Sequence, residues 1–185
     1  MPRIEIVYTS GYGHTDRQAQ ALAEGGGNAA RLWKLDADGT LPEEGWEALD
    51  TADAIVFGSP TYMGNVMWQF KKFADTSSKR WMTQSWSGKL MGGFTNSAST
   101  NGDKAMTMLW LATFAAQHGG LWVSLGQMPA NALASTHADT NWAGGSLGAL
   151  ATSPSDSTPE QGPTVGDLAS ARDYGARIAS LLVAA

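Results

Sequence analysis

Short apolar runs separated by helical patterns organise this chain. The runs Arg3–Tyr8 and Ala54–Gly58 are β-branched or continuously apolar, as in strands buried within a sheet. From Val66 to Phe73, apolar side chains recur on one helical face, which predicts an amphipathic helix. Weaker strands are predicted at residues 29–35, 89–96 and 121–126, and the longest helices at residues 103–119 and 165–185.

Strands and helices alternate five times in this pattern. Such alternation predicts an α/β fold with a doubly wound, five-stranded parallel sheet and helices on both faces. In sheets of this kind, ligands bind at the carboxyl ends of the strands, where the strand order reverses. The 185 residues contain no internal repeat and no linker, so residues 1–185 are predicted to form one domain.

The loop after the first strand has the composition of a phosphate-binding loop. Gly11 and Gly13 allow backbone amides to converge, and Ser10 and Thr15 add hydroxyl donors. The loop opens a helix whose N-terminal N–H groups and dipole favour an anion. At this helix start, Thr15 and Gln18 have the spacing of a capping box.

The first loop alone does not determine which type of ligand carries the phosphate. It has no lysine, which disfavours a nucleoside triphosphate. A dinucleotide has some support, because Gly11 and Gly13 give G-x-G and Asp36 is placed to bind a ribose. However, Asp16 stands where that fingerprint requires a third glycine. The loop favours a mononucleotide, and a dinucleotide site or a plain turn remain as alternatives.

Two further polar loops follow neighbouring strands. The loop Gly58–Asn65 is stiffened by Pro60 and can turn at Gly64, and Asn65 is expected to cap the next helix. The loop Phe94–Asp103 is small and polar. Together they offer backbone donors and acceptors beside an apolar edge, which suits a flavin ring. FMN is known to bind at the switch point of the flavodoxin-like strand order.

Composition and charge remove several other classes of function. The chain has no cysteine, which excludes disulfides and thiol chemistry, and its three histidines lack metal-ligand spacing, so no metal site is predicted. A net charge of -5 without a basic cluster disfavours a nucleic-acid partner. No apolar run is long enough for a membrane span, and the N-terminus resembles no signal peptide. A cytoplasmic protein is therefore expected.

The motifs SGYGHT and GSPTYMGN are each weak alone but specific as a pair. They are followed by Trp81 before SGKL, by QHG at residues 117–119, and by a late segment rich in Gly, Ser and Pro. With these motifs, nearly the whole chain resembles the WrbA-type NAD(P)H:quinone oxidoreductases, which are flavodoxin-like FMN proteins. The resemblance implies a single flavodoxin-like FMN-binding domain with strand order 2-1-3-4-5.

The resemblance also implies a set of site residues. FMN would contact Ser10, Gly11, Tyr12, Gly13, His14 and Thr15 through its phosphate, and Pro60, Thr61, Tyr62, Met63, Gly64, Asn65, Asn96, Ser97 and Ala98 through its ring and ribityl chain. His118 would be catalytic, stabilising negative charge on the reduced ring, because imidazole titrates near neutrality. Trp81 would wall the substrate pocket.

The chain departs from the family at Tyr62 and Met63, where an arginine followed by an aromatic residue is usual. A positive charge near the flavin is thereby lost. The segment between the second and third strands is also shorter than usual. Because the family shares its pockets between subunits, a homodimer or homotetramer is expected. The segment 141–151 is expected to form part of a lid or a contact between subunits.

The implied function is a two-electron ping-pong transfer from NADH or NADPH to quinones or similar small acceptors, with FMN supplying the redox chemistry. A flavodoxin-type electron carrier is a second hypothesis. Such carriers usually have a denser acidic surface than 16% charged residues and a net charge of -5 provide. An FMN-binding protein without quinone reductase activity is a third, because the fold alone does not separate these functions.

Overall fold

The computed structural model describes residues 2–183, which form strands and helices along the whole range. In chain order the elements are β1 (Ile4–Tyr8), α1 (His14–Gly26), a 3-10 turn (Gly27–Ala29), β2 (Ala30–Lys34), α2 (Glu43–Thr51), β3 (Ala54–Tyr62), β4 (Asn65–Val66), α3 (Trp68–Thr76), α4 (Ser78–Thr83), β5 (Leu90–Ser97), α5 (Lys104–Gln117), β6 (Leu121–Trp122), β7 (Ala149–Thr152) and α6 (Val165–Val183).

The main strands of the sheet are parallel and lie in the order β2-β1-β3-β5-β6. For the five predicted strands this is the order 2-1-3-4-5, so the predicted fold class and topology are confirmed. Ile4 in β1 pairs with Ala30 on one side and with Ala54 on the other. The strand order reverses beside β1, and the loops after β1 and β3 therefore flank the switch point.

The outer edge of the sheet differs from the prediction. Of the strand predicted at residues 121–126, only Leu121–Trp122 pairs as a strand, alongside the first half of β5. The second half of β5 pairs with β7. The end of the segment 141–151 therefore lies within the sheet and is not part of a lid. Gly148 permits this approach, because a Cβ there would collide with the carbonyl oxygen of Gly93.

Two apolar layers cover the two faces of the sheet. Successive strand residues point to opposite faces, so Ile6 packs with α1 and α6, whereas Val7 packs with α2, α3 and α5. The second layer is built largely from aromatic rings, with Trp86 fully buried. Phe70 and Phe73 are buried in the same layer, as the amphipathic pattern of α3 predicts.

Candidate functional site

The first loop joins the carboxyl end of β1 to α1. Gly13 has a φ of +92° and forms the N-cap of the helix. The Ser10 Oγ atom accepts hydrogen bonds from the N–H groups of Gly13 (3.1 Å) and Asp16 (3.3 Å). The other N–H groups of the first turn have no acceptor within the helix. The loop therefore gathers hydrogen-bond donors at the positive end of the helix dipole.

The predicted capping box at Thr15 and Gln18 is wrong. The helix begins at His14, so Thr15 lies inside its first turn. Gln18 is buried, and its Nε2 atom donates to the carbonyl oxygen of Ala149 at 3.1 Å. Its side chain thus ties α1 to β7 and leaves the capping role to Ser10.

The carboxylate of Asp16 lies behind the first loop. It accepts a hydrogen bond from the Tyr8 hydroxyl and lies 3.6 Å from the Lys34 Nζ atom. Burial and the neighbouring carboxylate raise the pKa of Tyr8 above its ordinary value. Asp36 holds its own turn by accepting two backbone N–H groups at 2.7 and 2.9 Å. Asp36 does not line the pocket described next, which removes the main support for a dinucleotide site, and Asp16 does not line it either.

Three predicted loops meet in one pocket of about 490 Å³ at the carboxyl end of the sheet. This volume lies within the usual range of ligand pockets, about 300–1,000 Å³. The lining consists of Gly11, Tyr12, His14, Thr15, Pro60, Tyr62, Asn96, Ser97, Ala98, Ser153, Ser155 and Ser157. Eight of the twelve lining side chains carry a hydroxyl or amide group, and none is a carboxylate. An anionic ligand would therefore meet donors without an opposing acid.

Side chains from distant segments lie close to both predicted glycines of the first loop. A Cβ on Gly11 would collide with the hydroxyl of Tyr62, which lies over the loop. At Gly13 a Cβ would lie 2.7 Å from the Pro159 ring, and the positive φ strains any other residue. The first loop is therefore covered from two sides by chain segments that are distant in sequence.

The second loop is a tight hairpin. Tyr62 pairs with Asn65 in antiparallel geometry, and Met63 and Gly64 form its two-residue turn with φ of +48° and +77°. Two positive φ angles are the signature of a type I′ turn. Asn65 therefore belongs to β4, and the prediction that it caps the next helix is wrong, since α3 begins at Trp68.

Part of the second loop faces away from the pocket. Met63 and Asn65 line a neighbouring cleft of about 600 Å³, which meets the pocket at Tyr62. The Thr61 Oγ1 atom lies 2.8 Å from the Oγ1 atoms of both Thr95 and Thr107 in a buried hydroxyl cluster. Of the predicted second-loop residues, Pro60 and Tyr62 line the pocket, whereas Thr61, Met63, Gly64 and Asn65 do not, and their contact with a cofactor stays a prediction.

A buried lysine holds the third loop. Lys104, the first residue of α5, is only 1% exposed. Its Nζ atom donates to the carbonyl oxygens of Ser99 (2.6 Å) and Thr100 (2.9 Å) and to the hydroxyl of Thr152 (3.1 Å). Burial lowers the pKa of Lys104 to about 8. The sequence analysis missed this residue, although a lysine at a helix N-terminus opposes the helix dipole and is a recognisable signal.

The fourth wall of the pocket comes from residues 153–163, which the sequence analysis did not assign to the site. The Asn96 Nδ2 atom donates to the Ser153 Oγ atom at 2.8 Å. On the other side, the Nδ1 atom of His14 lies 2.9 Å from the carbonyl oxygen of Gly162. These contacts hold the segment against the third and first loops. Its serine hydroxyls complete the polar lining.

His118 lies at the opposite end of the sheet from the pocket. It follows α5, whose 14 residues span about 21 Å from Lys104 onward. Its ring is buried between Trp86 (4.4 Å between ring centroids) and Phe114 (4.9 Å). Burial lowers the pKa of His118 to about 4, so the ring is neutral at pH 7. His118 therefore does not line the pocket formed by the three loops of its own chain, and its catalytic role stays a prediction.

Trp81 lies beside His118 and not beside the predicted loops. Both residues line a separate pocket of about 390 Å³, together with Ser77 and Phe114. The Ser77 Oγ atom lies 3.0 Å from the His118 Nε2 atom. The structure thus brings Trp81 and His118 together, but at the amino end of the sheet.

Residues 2–183 contain neither a candidate metal site nor a candidate membrane-spanning helix. No cluster of three or more His, Cys, Asp or Glu side chains there has the arrangement of a metal site. None of the helices in that range is sufficiently long and apolar to cross a membrane.

The chain is similar to flavin proteins over its whole length. The family model of NADPH-dependent FMN reductases matches residues 34–134. Flavodoxin FldP of Pseudomonas aeruginosa is 52% identical over 98% of this chain and 97% of its own length. An NAD(P)H dehydrogenase (quinone) of Geobacter sulfurreducens is 32% identical over 95% of each chain. The crystal structure of a WrbA-like flavodoxin from Agrobacterium tumefaciens matches with a TM-score of 0.81 and 49% identity, covering 100% of this chain and 99% of that one.

Proposed function

The chain belongs to the WrbA-type family of flavodoxin-like FMN proteins, and on that premise we propose that it transfers two electrons from NADH or NADPH to quinones or similar small acceptors through bound FMN. One observation carries the proposal. At the switch point, three loops converge on a pocket that is rich in hydrogen-bond donors and free of carboxylates. FMN supplies the capacity to accept a hydride and release its electrons, and the chain binds and orients it.

The first loop suits the phosphate of FMN. A phosphate needs several donors directed at one point, and the start of α1 offers free N–H groups beside the hydroxyls of Ser10 and Thr15. Without a Cβ, Gly11 and Gly13 leave room for Tyr62 and Pro159 to cover the loop, and the Asp16 carboxylate accepts a hydrogen bond from Tyr8. In this proposal residues 10–15 hold the phosphate.

The flavin ring fits between the second and third loops. Pro60 and Tyr62 offer an apolar edge, and residues 96–98 offer amide and hydroxyl groups that match the polar edge of the ring. The cleft that meets this pocket at Tyr62 is also lined by Trp68 and Trp110. Aromatic walls favour a flat ring. We place the nicotinamide and the acceptor there in turn.

Trp81 and His118 take no part in this site within one chain. A second copy would be required to bring Trp81 to a pocket. Trp81 is half-exposed and Met82 is exposed beside it, which supports the proposal of a homodimer or homotetramer with shared pockets. Light scattering on the purified protein measures this directly, and a monomer at all concentrations would exclude a shared wall.

A flavodoxin-type electron carrier is the second candidate. It is favoured by the 52% identity to a protein named flavodoxin. Met63 is fully exposed in the hairpin beside the pocket, and Tyr12 is largely exposed at its lining. Such exposed side chains at the mouth suit contact with a protein partner as well as with a small substrate.

Spectroscopy of the FMN-loaded protein separates the candidates. We expect a two-band flavin spectrum that NADH or NADPH bleaches anaerobically and that a quinone then restores. A colourless protein that takes up no added FMN would refute both candidates. Bleaching by dithionite but by neither nucleotide would refute the reductase and favour the carrier.

A further inference from the structure

Lys104 is a buried charge, and its burial is unfavourable in itself. Removing an ammonium group from water costs free energy even when oxygen atoms surround it, and apolar residues of similar volume often stabilise such positions better. Lys104 nevertheless directs its ammonium group to two backbone carbonyls and a hydroxyl. The position of these partners indicates why the charge is there.

The partners of Lys104 adjoin two walls of the FMN pocket. Ser99 and Thr100 directly follow the lining residue Ala98, and Thr152 directly precedes the lining residue Ser153. None of the lining residues is a lysine or an arginine. The ammonium group therefore lies behind the junction of the third loop and β7, where its field reaches the pocket through protein and not through bulk water.

The same contacts orient the third loop. In a trans peptide the C=O and the following N–H point in opposite directions. Because the carbonyls of Ser99 and Thr100 point to Lys104, the N–H groups of Thr100 and Asn101 point away from it. Both of these residues are exposed. Their donors are therefore available on the outer side of the loop.

We propose that Lys104 is a positioning residue that favours the reduced state of bound FMN, through its charge behind the third loop and through the loop conformation that it holds. The inference rests on the proposed FMN site. Reduction by a hydride adds two electrons and one proton, so the bound group gains one negative charge. A nearby cation in a poorly solvated position stabilises that added charge.

Asp167 reduces the positive electrostatic potential that Lys104 produces at the pocket. It is buried, and its Oδ2 atom accepts the N–H group of Thr152 at 2.9 Å, next to the hydroxyl that Lys104 contacts. Its negative charge attracts the ammonium group of Lys104 and partly offsets its field. Neutralising Lys104 and neutralising Asp167 should therefore shift the FMN equilibrium in opposite directions.

The test measures the reduced-to-oxidised ratio of bound FMN against a reference dye under anaerobic conditions. For Lys104→Met we expect the ratio at a fixed ambient potential to fall about tenfold, which is about 30 mV for a two-electron couple. Lys104→Arg keeps the charge and should restore the ratio to within about threefold of the unmodified protein. Asp167→Asn should raise the ratio.

The matched control is Lys89→Met. The Lys89 Nζ atom also donates to two backbone carbonyls, those of Asp50 and Ala52, but at the amino end of the sheet. We expect no change in the FMN ratio for this variant. An equal fall in both Lys→Met variants would overturn the inference, because net charge alone would then explain it.

The remaining outcomes also decide the question. An unchanged ratio in Lys104→Met that still binds FMN overturns the inference and leaves the proposed function intact. If Lys104→Met does not fold, an unchanged ratio in Asp167→Asn overturns it. Failure of the unmodified protein to bind FMN refutes the proposed function instead. The FMN dissociation constant, measured from flavin fluorescence, keeps binding separate from redox effects.

Discussion

Helix α5 connects the two ends of the sheet. A buried side chain is charged at one end and neutral at the other. At the carboxyl end, Lys104 is buried with its ammonium group on three oxygen atoms. At the amino end, His118 is buried between aromatic rings with one hydroxyl partner, and among residues 2–183 its Nδ1 atom has no hydrogen-bond partner. The charge of Lys104 opposes the helix dipole, which favours anions at the start of a helix, and His118 is neutral at the helix end, where the dipole favours a cation.

This contrast indicates that the groups around a helix end affect the charge state of a buried side chain there more strongly than the helix dipole does. Loops with free carbonyl and hydroxyl groups can solvate an ammonium group, whereas rings offer an imidazole no compensation for becoming charged. The end with polar loops is therefore suited to bind a charged ligand. The end with rings is suited to packing and to contact with other molecules.

The substitution with the largest expected effect tests whether the phosphate binds only at the carboxyl end of the sheet. Ser10→Asp places a carboxylate against the proposed phosphate and removes the hydroxyl that organises the loop. We expect FMN affinity to fall at least about 1,000-fold, or about 4 kcal/mol, as measured by fluorescence titration. Ser87→Asp, at the amino end, is the control and should bind FMN normally. Normal flavin content in Ser10→Asp would disprove the phosphate assignment.

The next effect tests whether the amino end excludes charge. The pKa of His118 in the folded protein is about 4, below its ordinary value of 6.5. The unfolded chain therefore binds more protons between these values, and stability is full above about pH 6.5 and falls toward pH 4. We expect the titration of His118 to lower the free energy of unfolding by up to about 3 kcal/mol across that pH range.

His118→Gln removes the titration and should flatten the pH dependence of unfolding by urea. Gln can still bond to Ser77, so the two proteins can be compared with similar local contacts. Between pH 7 and 8 the free energy of unfolding should depend on pH equally in the variant and in the unmodified protein. If the pH dependence is also the same between pH 4 and 6.5, His118 is not held neutral in the folded protein.

A smaller effect compares one aromatic residue from each end. Tyr62 lines the pocket, whereas Trp81 lines the cavity beside His118. Tyr62→Ala should weaken FMN binding about tenfold, or about 1.4 kcal/mol, because a ring contact is lost. Trp81→Ala should change the dissociation constant less than about twofold. Equal weakening by both substitutions would mean that the two ends do not act separately in FMN binding.

Much of the fold was predictable because its signals are local. The run Ala54–Gly58 is continuously apolar, as a central strand covered on both faces must be. Alternation with helices then limits the topology. The positions of the first and third loops were also predictable, because loops that directly follow parallel strands lie at one edge of the sheet. The side-chain directions of Thr61 and Met63 were not, because they depend on a hairpin that the sequence analysis read as an open loop.

The missed features depend on contacts between distant segments. Residues 129–163 show no periodicity, so neither β7 nor the serine wall could be predicted from local pattern. The motif around His118 gives residue types but no direction for this histidine. Its location follows from topology, since a helix that begins at the carboxyl end of a parallel sheet finishes near the amino end. Lys104 shows the converse, a residue whose role becomes visible only when its partners are known.

The position of β7 has a consequence for folding and for exchange kinetics. β7 pairs Ala149 with Phe94 of β5, which lies far away in the sequence. We expect such a contact to form late in folding, because the intervening loop must be ordered first. Until then, the second half of β5 presents an open edge that can pair with other chains. Ser153, Ser155 and Ser157 directly follow β7, so the same event that closes this edge also builds one pocket wall. FMN should therefore slow amide hydrogen exchange in residues 149–152 more than in β2, which lies on the opposite edge of the sheet.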